Sequence, residues 1–304
     1  MDDLWLCGWR VRCELPLPDL WRWNGDGRQP DVDIRLGPVP ELRGPLVQAA
    51  PHLQIAKDGR CRLDIPGVAR YLVKDGCAVV VDPVVDSAPP DIRVILLGTV
   101  LGLLCHQRGL FPLHAACLQI GDDAVALSGS PGAGKSTLAA ALVQRGHALL
   151  ADDVCVIDSV ASGGPVVLPA FPSLKLRRDA LDLLGVSPDG LEQGREGWAK
   201  YHLPVREVHR SPPSPVPLRR LLLLEDESAG PLQEIGRWKG FAAVALLVEQ
   251  VYRRQPARTL GRERALFDGA VRLAQTVSVH RLARRRGADQ LDTAVALVEG
   301  LAAS

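Results

Sequence analysis

Eight consecutive residues, Gly129-Ser130-Pro131-Gly132-Ala133-Gly134-Lys135-Ser136, fit the pattern G-x-x-x-x-G-K-[ST]. Each residue type there has a chemical reason. Glycines let successive backbone N–H groups turn toward one anion with no Cβ in the way. The run that follows predicts a helix from Lys135 to Gln144, whose positive N-terminus faces the same anion. Lys135 can reach terminal phosphate oxygens, and the Ser136 hydroxyl suits Mg²⁺. With Thr137 in the first helical turn, the stretch reads as a site for ATP and Mg²⁺.

A second group is Asp152-Asp153, at the end of the next expected strand. Phosphoryl transfer needs a carboxylate near the loop serine to hold the metal. It also needs a group to accept the proton of an attacking hydroxyl. Neighbouring residues on a strand point to opposite faces, so the two carboxylates are expected to take different roles. The plain alternative is a solvated turn at a strand end. A third candidate is His114, set among Leu113, Ala115 and Ala116. Such a histidine reads as well as a packed core residue as it does as a catalytic one.

Further along, Lys175 follows the bend Phe171-Pro172-Ser173 and is a candidate phosphate contact, or simply the start of a solvated basic segment. Lys200 and Arg206, after Gly190, Gly194 and Gly197, are candidates for a mobile lid. The basic run from Arg281 to Arg286 reads as a solvated face or strand end, with an acidic-peptide contact as the alternative, and Trp198 and Trp238 read as packing residues.

The elements that must position these groups follow from pattern. Residues 1–90 read as β-rich, with hairpin signals at Lys57-Asp58-Gly59 and Lys74-Asp75-Gly76. From Asp91, a plausible N-cap, to His106 the pattern becomes a helix that is apolar nearly all round, hence buried, with Gly109 as its stop. Strands are expected at Cys117–Ile120, Ala124–Leu127 and Ala148–Leu150, the last running on through Asp152-Asp153 into Val154–Ile157. Pro212–Pro217 reads as extended and Leu221–Leu224 as an interior strand. Helices are expected near 240–253, 262–275 and 289–301. The fold class is therefore mixed α/β: a β-rich region, 1–90, ahead of a catalytic domain, 91–304.

Composition excludes several alternatives. The chain has 304 residues, 36 Lys+Arg against 35 Asp+Glu, 47% hydrophobic residues and a net charge of +1. That is too apolar for a disordered chain and too balanced for a dedicated nucleic-acid binder. Aromatics are only 4%, so the core must be built from Leu, Val, Ile and Ala. The longest apolar run, Val94 to Cys105, is short of the ~20 residues that span a bilayer, so no membrane partner is expected. The N-terminus, Met1-Asp2-Asp3, is acidic where a signal peptide is basic. Seven cysteines without a C-x-x-C pair read as reduced core residues and point to the cytoplasm.

Taken together, Leu113-His114-Ala115-Ala116, the loop Gly129 to Ser136 and Gln144-Arg145-Gly146-His147-Ala148-Leu149-Leu150-Ala151-Asp152-Asp153 resemble the catalytic domain of bacterial HPr kinase/phosphorylase. His106 to His114 and Phe171 to Leu176 are similar to segments of shorter HPr-kinase-like proteins of modified-peptide clusters, some of them lasso-peptide tailoring kinases. The resemblance implies a P-loop core like the C-terminal domain of phosphoenolpyruvate carboxykinase. It implies Asp152 as general base, Asp153 as an aid to the metal or loop, Ser136 as metal ligand and His114 close to the phosphates. The implied partner is a peptide or protein carrying an acceptor serine, and a homo-oligomer is compatible with it. Thr137 stands where that family commonly has Glu, and its later Glu-rich R-G-x-G run is absent between Asp158 and Arg206. HPr recognition and phosphorolysis are therefore not among the expectations. The open alternatives are a kinase for a small-molecule hydroxyl and a nucleotide-binding switch.

Overall fold

The hairpin at Lys74-Asp75-Gly76 shows how local sequence sets the first half of the chain. Asp75 (φ 54°) and Gly76 (φ 65°) both take the left-handed conformation of a type I′ turn, and Cys77 N–H donates to the Lys74 carbonyl at 3.1 Å. The turn joins Ala69–Lys74 to Ala78–Pro83. The other expected hairpin pairs Leu53–Ala56 with Cys61–Ile65. These strands belong to a nine-stranded sheet of residues 2–83. In this computed structural model the described residues are 1–85, 87–171, 173–193, 200–205, 214–226, 234–284 and 288–303.

A helical rod, Pro89–Gln107, lies against that sheet. It is α-helical over Pro89–Ile95, widens to a π-helix over Leu96–Val100 and returns to α over Leu101–Gln107. Its cap position is Ala88; Asp91, the expected cap, sits buried in the first turn instead. Burial all round is as its apolar composition requires, and Gly109 ends it at φ 78°. The Tyr71 hydroxyl donates to the Ile92 carbonyl (3.2 Å), and the Gln107 side chain is tied to Gly59 and Gly76. One hydrophobic cluster runs from Leu4 through this rod to Val279, so the first sheet and the following structure share a core. At 19 residues and mean hydropathy 1.3 the rod is long and apolar enough to cross a membrane, although 78% of its most apolar stretch is buried within the protein.

The second nine-stranded sheet is mixed. Asp123–Gly129 runs parallel to Val216–Asp226, which runs parallel to Ser278–Arg284. Ala115–Ile120 is antiparallel to Asp123–Gly129 on one side and to Ala148–Ala151 on the other. Both faces of this sheet are covered, which explains its continuous apolar strands. Ala124 and Ala126 face the cluster containing the rod, while Val125 and Leu127 face the helices Lys135–Gln144 and Ala288–Ala303. A small sheet of Ser173–Arg177, Lys200–Pro204 and Glu192–Gln193 packs beside the loop helix.

Three sequence expectations need correction. Ala148–Ala151 does not continue through Asp152-Asp153 into Val154–Ile157; the chain bends there, with Asp153 at φ 74°, and Cys155–Asp158 pairs elsewhere with Phe111–Leu113. The helix expected over 240–253 stops at Glu249, because Gln250 to Tyr252 hydrogen-bonds to Pro112 and His114. A second helix, Arg254–Thr259, follows. Six of the seven cysteines are buried, but Cys77 is exposed. Expectations for Trp198, Arg206, Pro212, Arg285 and Arg286 fall outside the described residues.

Candidate active site

The glycine-rich loop leaves the strand Asp123–Gly129 and enters the helix Lys135–Gln144, which has the predicted bounds. Gly129 takes φ 143°, and a Cβ there would lie 2.6 Å from the Leu224 carbonyl oxygen. Gly134 caps the helix in the left-handed region at φ 88°. Ser130, Pro131 and Gly132 are exposed, Ala133 is buried and Thr137 is half-buried. Leu138, Ala139 and Leu142, all fully buried, anchor the helix to the sheet. Each buried leucine contributes about 1.5–3 kcal/mol, which fixes the loop's far end.

Lys135 is 8% exposed, and its Nζ donates to the carbonyls of Gly129 (2.8 Å) and Ser130 (3.2 Å). Burial lowers its pKa; Asp153 and Asp152 oppose that shift and Lys200 adds to it. The Ser136 hydroxyl donates to Asp152 Oδ1 at 2.9 Å. Asp152 is 5% exposed and takes a second hydrogen bond on Oδ2 from the Lys175 backbone N–H, also at 2.9 Å. Burial raises its carboxyl above the ordinary value, and the Asp153 charge adds to that, against the Lys175 and Ser136 contacts.

Asp153 sits one residue on, with its side chain 32% exposed, and has different partners. His114 Nδ1 lies 3.2 Å from its carboxylate and 3.2 Å from its carbonyl oxygen. A carbonyl only accepts, so Nδ1 carries the proton and Nε2 is left for another partner. Burial pushes the Asp153 carboxyl up, but the His114 hydrogen bond and the charges of Lys175, His114 and Lys200 outweigh it, and the group stays well below the usual carboxylate range. The two carboxylates thus differ in partners, as expected, but a bend rather than strand alternation separates them.

The structure therefore brings Lys135, Ser136, Asp152, Asp153 and His114 together, with Lys175 and Lys200 contributing charge from the small sheet. Arg145 and His147 do not join them. Both pair with Glu299, at 3.2 and 2.9 Å, and tie the loop helix to the C-terminal helix. Trp238 packs against the core, and Arg281 pairs with Glu225.

Sequence reading missed a supporting group. Ser128 hydroxyl bridges the His114 carbonyl (2.9 Å) and Gln250 Oε1 (2.8 Å). The Tyr252 ring lies 5.8 Å from the His114 ring, tilted by 40°. Gly102 makes room for it, since a Cβ there would meet Tyr252 Cδ1 at 2.7 Å. The signal in sequence is faint: two glycines, Gly98 and Gly102, spaced one turn apart in an otherwise bulky helix.

A mixed α/β core presenting a strand–glycine loop–helix unit with two carboxylates beside it is an arrangement suited to binding a phosphate group. Residues 110–166 match the HPr Serine kinase C-terminal domain family, and that stretch carries the histidine, the loop and both aspartates. That stretch is therefore HPr-kinase-like. Among solved structures the chain is similar to the Hpr(Ser) kinase/phosphatase from Coxiella burnetii, at 14% identity, over 62% of this chain and 96% of that one, with a TM-score of 0.33. No curated protein matches the sequence.

Proposed function

We propose that the protein is an ATP-dependent kinase that transfers the γ-phosphate to a serine hydroxyl of a peptide or protein. The observation that carries this reading is the convergence of Lys135, Ser136, Asp152, Asp153 and His114 around one loop, inside the stretch that matches a serine-kinase domain. In this reading Gly129 to Thr137 cradles the triphosphate. Lys135 exchanges two loop carbonyls for phosphate oxygens. Ser136 and Asp153 would hold Mg²⁺, and the fit is chemical: a hydroxyl and a carboxylate whose neighbours favour its charged form are the hard oxygen donors that ion takes. Bound there, Mg²⁺ neutralises charge on the β- and γ-phosphates.

Asp152 is the base. Its burial raises its proton affinity, which suits it to accept the seryl proton. As the seryl oxygen bonds to the γ-phosphorus, the bond to the β-phosphate oxygen breaks, ADP leaves and the proton goes to Asp152. His114, fixed through Nδ1, offers Nε2 to the substrate side. Most of the rate effect comes from positioning and charge neutralisation. The substrate class we favour is a ribosomally made, lasso-type precursor peptide, handled in the cytoplasm by the catalytic region 91–304, with residues 1–90 as a β-rich region that shares its core. What supports that choice is the resemblance of His106 to His114 and Phe171 to Leu176 to segments of such tailoring kinases.

The test is mass spectrometry of a precursor peptide encoded beside this gene, incubated with the protein, ATP and Mg²⁺. One added phosphate on a serine, absent with Asp152→Asn, is the expected result. No phosphorylation while ATP still binds tightly would shift the reading to a small-molecule kinase or a nucleotide switch.

A further inference from the structure

Arg253 lies where the pairing of Gln250–Tyr252 with Pro112–His114 ends. His114 N–H donates to the Gln250 carbonyl (2.8 Å) and Tyr252 N–H to the Pro112 carbonyl (2.9 Å). The chain then passes through Arg253 at φ 53°, ψ 47°, a left-handed conformation that costs a side chain roughly 1 kcal/mol or more. Four non-glycine residues among those described have positive φ, and two of them, Asp153 and Arg253, flank the His114–Tyr252 ring pair. Strain of this kind collects at functional sites.

The guanidinium is held in place by neutral groups. Nη2 donates to Thr99 Oγ1 at 2.7 Å, and Cζ stands 5.4 Å from the centre of the Tyr252 ring. Arg253 is exposed, and among the described residues no carboxylate forms an ion pair with it. A fixed arginine with neutral anchors keeps donors for an anion. The same π-helical turn leads back to Asp153, the carboxylate assigned to Mg²⁺. A Cβ on Gly98, next to Thr99, would lie 3.5 Å from the Tyr252 hydroxyl and 4.0 Å from Asp153 Oδ2.

We propose that Arg253 is an anion-binding residue of this site, taking an oxyanion that is either the terminal phosphate of the nucleotide or a carboxylate or phosphate of the acceptor. This rests on the reading of Gly129 to Thr137 as a nucleotide site. Its side of the site is built by Thr99, Tyr252 and Gly98, not by the loop or by Lys175 and Lys200. The fork of an arginine suits two oxygens at once, which a lysine does not reproduce.

Calorimetric titration of wild type, Arg253→Gly and Arg253→Lys with Mg²⁺-ADP and Mg²⁺-AMP-PNP tests this, followed by inorganic phosphate added to the AMP-PNP-loaded proteins. Glycine accepts the left-handed backbone, so Arg253→Gly keeps the fold, which near-UV circular dichroism and Tm verify. ADP affinity stays unchanged. A loss of about tenfold or more in AMP-PNP affinity identifies the terminal phosphate as the anion. Unchanged AMP-PNP binding with lost phosphate binding identifies an acceptor anion. Arg253→Lys recovers only part of either effect. Equal binding of AMP-PNP and of phosphate by wild type and Arg253→Gly overturns the proposal while leaving the nucleotide site intact. Wild type that binds neither nucleotide overturns the nucleotide reading, and this proposal with it.

Discussion

The Ser136 hydroxyl donates to Asp152 Oδ1 across 2.9 Å, joining the first turn of the loop helix to the bend after Ala148–Ala151. Asp152 is nonetheless a strained ion, because burial raises its carboxyl above its unfolded value. A carboxyl raised by folding favours the folded state in its protonated form. That contribution is present at low pH and is lost as pH rises through the raised value. At neutral pH Asp152 therefore costs stability. Asp152→Asn, whose amide can still meet Ser136 and the Lys175 N–H, should melt no lower than wild type at pH 7 and higher if anything. A Tm well below wild type would show that the carboxylate stabilises the bend.

Asp153 carries the opposite sign. Its carboxyl is held below the usual range, so its contribution to stability is present above the unfolded carboxyl pKa of about 3.9 and is lost as pH falls through the lower folded value. Asp153→Asn should be less stable than wild type in urea at pH 7, with the gap closing in strong acid. His114→Ala should move the Asp153 titration upward, read by carbon NMR of its carboxyl. An unmoved titration would mean that Lys175 and Lys200 alone hold the group down.

Lys135 now spends its ammonium on two loop carbonyls. Lys135→Ala should weaken Mg²⁺-ATP binding by about tenfold or more and abolish transfer, while leaving Tm nearly unchanged. Titration calorimetry reads the first and phosphate incorporation the second. Turnover near wild type in this variant would contradict the assignment of the loop.

The glycines separate by what surrounds them. Gly129→Ala sets a Cβ 2.6 Å from a backbone oxygen that cannot swing away, so it should cost about 1–3 kcal/mol and lower nucleotide affinity. Gly102→Ala meets the Tyr252 ring at 2.7 Å and should destabilise by a similar amount while disturbing His114. Gly98→Ala, whose nearest contact is 3.5 Å, should be milder in Tm. Chemical denaturation ranks the three, and a Gly98→Ala loss equal to the other two would contradict the packing described.

What the sequence made legible was what local rules decide. The loop helix has its expected bounds because Gly134 caps it and Arg145-Gly146 ends it. The hairpins appear because Asp75-Gly76 and Asp58-Gly59 supply their turns. What was not legible depends on distant partners. Gln250–Tyr252 has a helical pattern but is drawn into pairing with Pro112–His114, which places Tyr252 and Arg253 at the site. The bend at Asp152-Asp153 parts two apolar runs, Ala148–Ala151 and Val154–Ile157, that local propensity joins into one strand, and Asp153 at φ 74° has no glycine to announce it. The π-helical turn at Leu96–Val100 is equally silent, because a helix apolar on every side gives no period to slip.

The most direct test of the central claim compares wild type with Asp152→Asn at matched nucleotide saturation. Binding of Mg²⁺-ATP and phosphate incorporation into a seryl peptide are measured on the same preparations. The account predicts that Asp152→Asn binds nucleotide about as tightly as wild type yet transfers phosphate about 10²–10⁴-fold more slowly. Transfer by Asp152→Asn at the wild-type rate would contradict it.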